Sequence, residues 1–157
     1  MSQTLPTHAL SLWAPWAWCI LHAGKRIENR SLKFPRHFRG EFWLHCSLWP
    51  GGRGALSANK QHDLVDEFHA AIDMSGQPRD VFPALKFGQL DGMRGKIVGR
   101  VTVTGYVEKS DSPWFVPGGL GLELANPLAV ATPVEASGAL GWWRVPEDKL
   151  ALLRAQP

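Results

Sequence analysis

Three ionisable side chains of different chemistry crowd into one short stretch: Lys25, Glu28 and Arg30, within Gly24-Lys25-Arg26-Ile27-Glu28-Asn29-Arg30. In an extended chain Glu28 and Arg30 fall on one side and Ile27 on the other, with Lys25 at the turn leading in. An ammonium and a guanidinium can donate to a phosphate or to the polar edge of a base. A carboxylate between them can orient the cations, accept a hydrogen bond or take a proton. The same spacing equally suits an ion pair closing a hairpin at the surface, which contributes little to stability.

Other chemistries lack their residues. The chain has no CxxC, no HExxH and no calcium-binding carboxylate loop, so no metal site is expected. It also lacks GxSxG, GxxxxGK[ST] and GxGxxG, and no cofactor is implied. Cys19 lies in an apolar helical stretch and reads as a small core residue. His45 and Cys46 are neighbours on a strand and point to opposite faces, so they do not chelate together.

The charge is concentrated around the same block. Six basic residues against one acid lie between Lys25 and Arg39, whereas the rest of the chain holds eleven basic and thirteen acidic groups. A neutral body with one cationic segment attracts phosphates or carboxylates; a solvated loop without a partner has the same composition. Eight Trp against one Tyr is the second bias. Trp buries a large area but needs a partner for its N–H, which suits cores with polar edges and stacking surfaces.

The elements that must position these residues follow from periodicity. Ala9 to Leu12 is predicted as a strand, and Pro15 opens a buried helix over Trp16 to His22 that Gly24 ends. Arg26 to Arg30 and Gly40 to Ser47 are predicted strands; in the second, Phe42, Leu44 and Cys46 oppose Trp43, His45 and Ser47. Ser57 caps a helix running to Ile72, with Leu64, Val65, Phe68, Ala71 and Ile72 as its apolar stripe. Asp73 to Gly95 holds short turns. Lys96 to Tyr106 is the clearest strand, with Ile97, Val101 and Val103 sharing a face. A loop over Ser112 to Gly119 precedes short strands near Leu120–Leu124, Ala129–Ala136 and Ala139–Arg144, and Pro146 opens a last helix docking through Leu150 and Leu153.

These elements suggest one α+β domain over residues 1–157, built on a curled or closed sheet. No apolar run is long enough for a membrane span, and no charged leader precedes one near the start. Two cysteines make no disulfide framework, so a cytoplasmic protein is expected.

Leu10 to Ser31, LSLWAPWAWCILHAGKRIENRS, resembles the opening signature of the ASCH domain, the activating-signal-cointegrator homology family of the PUA-like superfamily. That signature reads approximately L-S-hydrophobic-x-x-P-W-A, a short apolar helix, then G-x-K-x-x-E-x-R. Pro15, Trp16 and Ala17 match its first part, and Lys25, Glu28 and Arg30 its second, with the glycine displaced by one. Arg39-Gly40 with His45-Cys46-Ser47, Gly95 to Gly99, Asp111 to Phe115 and Gly138 to Trp143 are similar to later family segments in the same order. Where many relatives continue S-P-W-F with G-P-Y-G, this chain has Val116-Pro117-Gly118-Gly119.

The resemblance implies a PUA-like mixed β-barrel with a short N-terminal helix, a longer middle helix and a C-terminal helix. It also implies a cleft beside the first helix, lined by the motif residues. The family is thought to bind RNA or other nucleic acid. Lys25, Glu28, Arg30 and Arg39 would then contact phosphates or base edges, and Trp16, Ser112, Trp114 and Phe115 would shape a stacking surface. The other implied reading is a hydrolase acting on a modified nucleoside, as in N4-acetylcytidine amidohydrolases, or a ribonuclease. Lys25 would then be base or nucleophile, with Glu28 beside it. In the amidohydrolase branch a threonine stands three positions after the lysine; here that position is Glu28.

Overall fold

The structure is a computed structural model that describes residues 4–157. The strands are β1 (His8–Leu12), β2 (Ile27–Arg30), β3 (Gly40–Cys46), β4 (Lys96–Val107), β5 (Leu120–Glu135) and β6 (Trp143–Arg144). The helices are α1 (Ala14–His22), α2 (Ala58–Asp73), α3 (Phe87–Asp91) and α4 (Glu147–Arg154). The strands form one mixed sheet in the order β2-β5-β4-β3-β1-β6. Its one parallel pair among the described residues is β1 with β3, which sets Ser11 directly opposite His45. The architecture is α+β, but β2 and β6 are the two edges of an open ladder. The closed barrel expected from the resemblance is not made by this pairing.

Alternation along β3 assigns the two faces. Phe42, Leu44 and Cys46 enter a large apolar cluster with α1, α2 and α3, while Trp43 joins a smaller one with Val134, Trp143, Leu150 and Leu153 beneath α4. Leu64, Phe68, Ala71 and Ile72 of the α2 stripe dock as their spacing requires, whereas Val65 stays half-buried outside both clusters; the Ser57 hydroxyl accepts from the Lys60 N–H at the helix start. The cap helps the last unpaired N–H groups of the first turn; burial of Leu64, Phe68, Ala71 and Ile72 supplies most of the helix's stability.

Strand irregularities account for most departures from the sequence expectations. The register of β4 shifts between Ile97 and Gly99, so Val98, not Ile97, shares the large cluster with Val101 and Val103. The predicted strands near Leu120–Leu124 and Ala129–Ala136 are one continuous β5. Asn126, at φ 54°, takes the left-handed turn between its halves that Asn tolerates. Of Ala139–Arg144 only Trp143–Arg144 pairs as strand. Between Asp73 and Gly95 the chain forms a 3-10 turn (Arg79–Val81) and α3, which buries Leu90. None of the described helices is long and apolar enough to cross a membrane.

Candidate functional site

The turn out of α1 determines where the charged block points. The Ala23 and Lys25 N–H groups both donate to the Cys19 carbonyl, and Gly24 sits at φ +73° with open space where a Cβ would be. Glycine is required there by the backbone angle, not by crowding. This left-handed step turns Lys25 inward, to 1% exposure. Its Nζ donates to the Ile27 carbonyl and, at 3.1 Å, to Glu28 Oε2, and lies 5.4 Å from the centre of the Trp16 ring. Arg30 Nε stands 3.8 Å from Glu28 Oε1 without a hydrogen bond, while its Nη2 donates to the Ser11 carbonyl at 2.9 Å.

Ammonium, carboxylate and guanidinium therefore converge beside an indole, but as an enclosed network. Lys25, Glu28 and Trp16 line neither of two surface hollows, of about 800 and 380 Å3; Arg30 borders the smaller, with Asn29, Ser31, Val116 and Gly119. Trp16 is half-buried, and its Nε1 donates to Glu67 of α2 at 3.0 Å, which fastens the two helices together. Neither hollow is the cleft lined by Lys25, Glu28 and Trp16 that the resemblance implied. The same Lys25 charge pulls against burial at the Cys19 thiol, which burial nonetheless pushes up to about 12.

Trp114 and Phe115 are buried, not presented to solvent as the stacking surface implied by the resemblance requires. Asn29 explains this: its Nδ2 donates to the Trp114 carbonyl at 2.8 Å and its Oδ1 accepts from the Val116 N–H at 2.9 Å. That double clip folds the loop's aromatic residues into the core. Ser112 is half-buried, and its hydroxyl accepts from the Trp114 N–H.

The remainder of the basic segment faces outward. In the loop between β2 and β3, Phe34 and Phe38 pack on Trp142, the latter stacked at 4.3 Å, while Lys33, Arg36 and Arg39 are exposed. Arg39 lies over the Tyr106 ring at 4.5 Å and donates to the carbonyls of Arg36 and Phe38. An aromatic anchor thus lies beneath exposed cations, of which Arg36 also stands 3.5 Å from the exposed Glu108 carboxylate.

The larger of these hollows, about 800 Å3, includes Ser11 in its lining. Ser11 and His45 stand in its wall, with the segment Ala136–Leu140 and the Gly-rich loop carrying Arg53. Ser11 Oγ is 2.9 Å from His45 Nδ1, and His45 Nε2 is 2.7 Å from the Ala136 carbonyl. Burial lowers the His45 pKa, although hydrogen bonding to the Ala136 and Gly95 backbone partly opposes it. Trp143 Nε1 donates to Ser11 Oγ at 3.1 Å. Gly138 closes over the pair: a Cβ there would meet Ser11 Oγ at 2.6 Å and His45 Cε1 at 2.7 Å. Arg94, also in the wall, donates to the Leu48, Gly52 and Gly54 carbonyls and to Asp91, and so shapes the Gly-rich loop.

Sequence reasoning overlooked Ser11, Arg53, Arg94 and Asn29, and gave His45 no partner. Their contacts span distant parts of the chain, and the parallel register that joins Ser11 to His45 leaves no local spacing to read. Among the described residues no group of three or more His, Cys, Asp or Glu side chains is gathered to hold a metal ion. No family model matches the chain, and no curated protein matches it.

Proposed function

We propose that residues 1–157 form a single ASCH-type, PUA-like domain that binds single-stranded nucleic acid, RNA before DNA. Phosphates would run along the exposed cations of the loop between β2 and β3, and one unpaired base would enter the large hollow beside Ser11. The observation that carries this reading is a shared wall. Gly138, Ala139 and Leu140 border the hollow, and two residues on, Trp142 anchors the basic loop. A hollow of about 800 Å3 falls within the range of small-ligand sites. A curled PUA-like sheet is supported by the Arg30 bond to the Ser11 carbonyl, which ties β2 to β1 although the ladder does not pair them.

Hydrolysis through Lys25 has less support. Its Nζ is committed as a donor to a carbonyl and a carboxylate, and the side chain is closed off from both hollows.

The test is fluorescence anisotropy with labelled single-stranded RNA, the matching DNA and a duplex, in 50 and 200 mM salt. Three phosphate contacts predict a log–log salt slope of about −2, hence roughly 15-fold weaker binding at the higher salt. The combined Lys33→Gln, Arg36→Gln and Arg39→Gln variant is expected to lose most of both affinity and slope. Absence of salt-dependent binding rejects the proposal, and turnover of N4-acetylcytidine abolished by Lys25→Ala would replace it with the hydrolase.

A further inference from the structure

Ser11 and His45 do more than fill adjacent positions in a parallel ladder. The Ala136 carbonyl can only accept, so the His45 Nε2 facing it carries the hydrogen. With the imidazole neutral, its Nδ1 then presents a lone pair to Ser11 Oγ, 2.9 Å away. Trp143 Nε1 can only donate, and it donates to that same Oγ. The Ser11 hydroxyl hydrogen is thereby directed onto Nδ1. Hydroxyl, imidazole and carbonyl form one oriented chain, with the nucleophile–base contact and the base–orienter contact both in place.

The surroundings suit a reaction better than a plain tie between strands. Ser11 is half-buried and stands in the wall of the large hollow, while His45 behind it is only 2% exposed. Gly138 and Ala139 line the same hollow, and a backbone N–H of this segment is the kind of donor a developing oxyanion on a substrate beside Ser11 would need. Arg53 and Lys149 also border the hollow, and neither forms an ion pair among the described residues.

We propose that Ser11 is a nucleophile and His45 its general base, acting on a small carboxylic ester or amide that carries an acidic group. Ser11 Oγ bonds to the substrate carbonyl carbon as its proton passes to His45 Nδ1. The bond to the leaving alcohol or amine then breaks, and that group departs with the proton from Nδ1. Water attacks the acyl-serine, giving a proton to Nδ1 that returns to Ser11 Oγ as the carboxylic acid is released. Arg53 and Lys149 favour substrates with a carboxylate or phosphate. This goes beyond nucleic-acid binding and does not depend on it.

The experiment treats the whole protein with a fluorophosphonate ester and locates the adduct by peptide mass spectrometry. One adduct on Ser11 is expected, absent in Ser11→Ala and formed at least tenfold more slowly in His45→Gln. A folded wild-type protein without an adduct on Ser11 overturns the proposal. Should Ser11→Ala fail to fold, Ser11→Cys keeps a nucleophile in place, against a low background because Cys19 and Cys46 are buried with thiol pKa values pushed up. Iodoacetamide should then alkylate position 11 at least tenfold faster than either native thiol, and slower once His45→Gln is added; equal rates overturn the assignment. RNA anisotropy on the same samples keeps the two ideas apart, since binding without an adduct rejects only the dyad, and an adduct without binding rejects only the nucleic-acid reading.

Discussion

Ser11 separates two polar clusters that differ in what their neighbours leave free. Its carbonyl receives Arg30, the outer end of a network in which Lys25 and Glu28 are nearly sealed from solvent. Its hydroxyl meets His45 in the wall of a hollow of about 800 Å3. The first cluster carries the conspicuous charges, yet each is spent on the protein itself. The second has no formal charge at its centre and adjoins the space. Charge density in a sequence thus locates a tie between strands here, and chemistry is better sought where polar groups border a void.

The largest expected effect breaks the first cluster. Lys25→Met leaves the Glu28 carboxylate buried with only the Arg30 guanidinium, 3.8 Å away and not hydrogen-bonded to it, and removing one partner of a buried pair costs about 3–5 kcal/mol. Urea unfolding should show that loss, while the folded fraction binds RNA as before; lost affinity at full stability would return Lys25 to the binding surface. Gly138→Ala presses on the second cluster. The added methyl meets Ser11 and His45 well inside contact distance, and overpacking of this kind costs roughly 1–3 kcal/mol. Amide exchange should rise first along 136–140, and unchanged exchange there would deny the close approach.

A smaller effect separates the clusters by pH. Because folding lowers the His45 pKa, the unfolded chain binds the proton more readily once the pH drops below about 6.5. This contribution is fully present above that value and is lost as pH falls through the lower, folded pKa. His22, also lowered by burial, adds in the same direction. Thermal unfolding from pH 7.5 to 5 should therefore show declining stability, with a shallower decline in His45→Gln; an identical slope would contradict a neutral buried imidazole. The smallest effect is expected at the surface, where Arg36 pairs with Glu108 at 3.5 Å and both are exposed. Arg36→Gln should change stability by less than about 0.5 kcal/mol while weakening RNA binding, and only a stability assay beside the titration reveals that split.

What could be read beforehand was local. The faces of β3, the Ser57 cap, the stripe of α2 (Val65 apart) and the turn at Gly24 depend on neighbours within a few positions, and each formed as its spacing required. The convergence of Lys25, Glu28 and Arg30 was local too. Its surroundings were not: the Trp16 ring beside Lys25 is bonded to Glu67, far along the chain on α2. Burial of Trp114 and Phe115 depends on Asn29, far away in the chain, and the Ile97 face on a register shift that no alternation announces. The Ser11–His45 pair needs the parallel crossover, which puts residues on different strands side by side.

The most direct measurement is a proton–nitrogen NMR titration of the labelled protein with a short single-stranded RNA. Shifts are expected along the loop carrying Lys33, Arg36 and Arg39 and along 136–142, with the amides of Lys25 and Glu28 nearly still. Shifts centred on Lys25 and Glu28, with the loop and the hollow unmoved, would contradict this placement of the RNA.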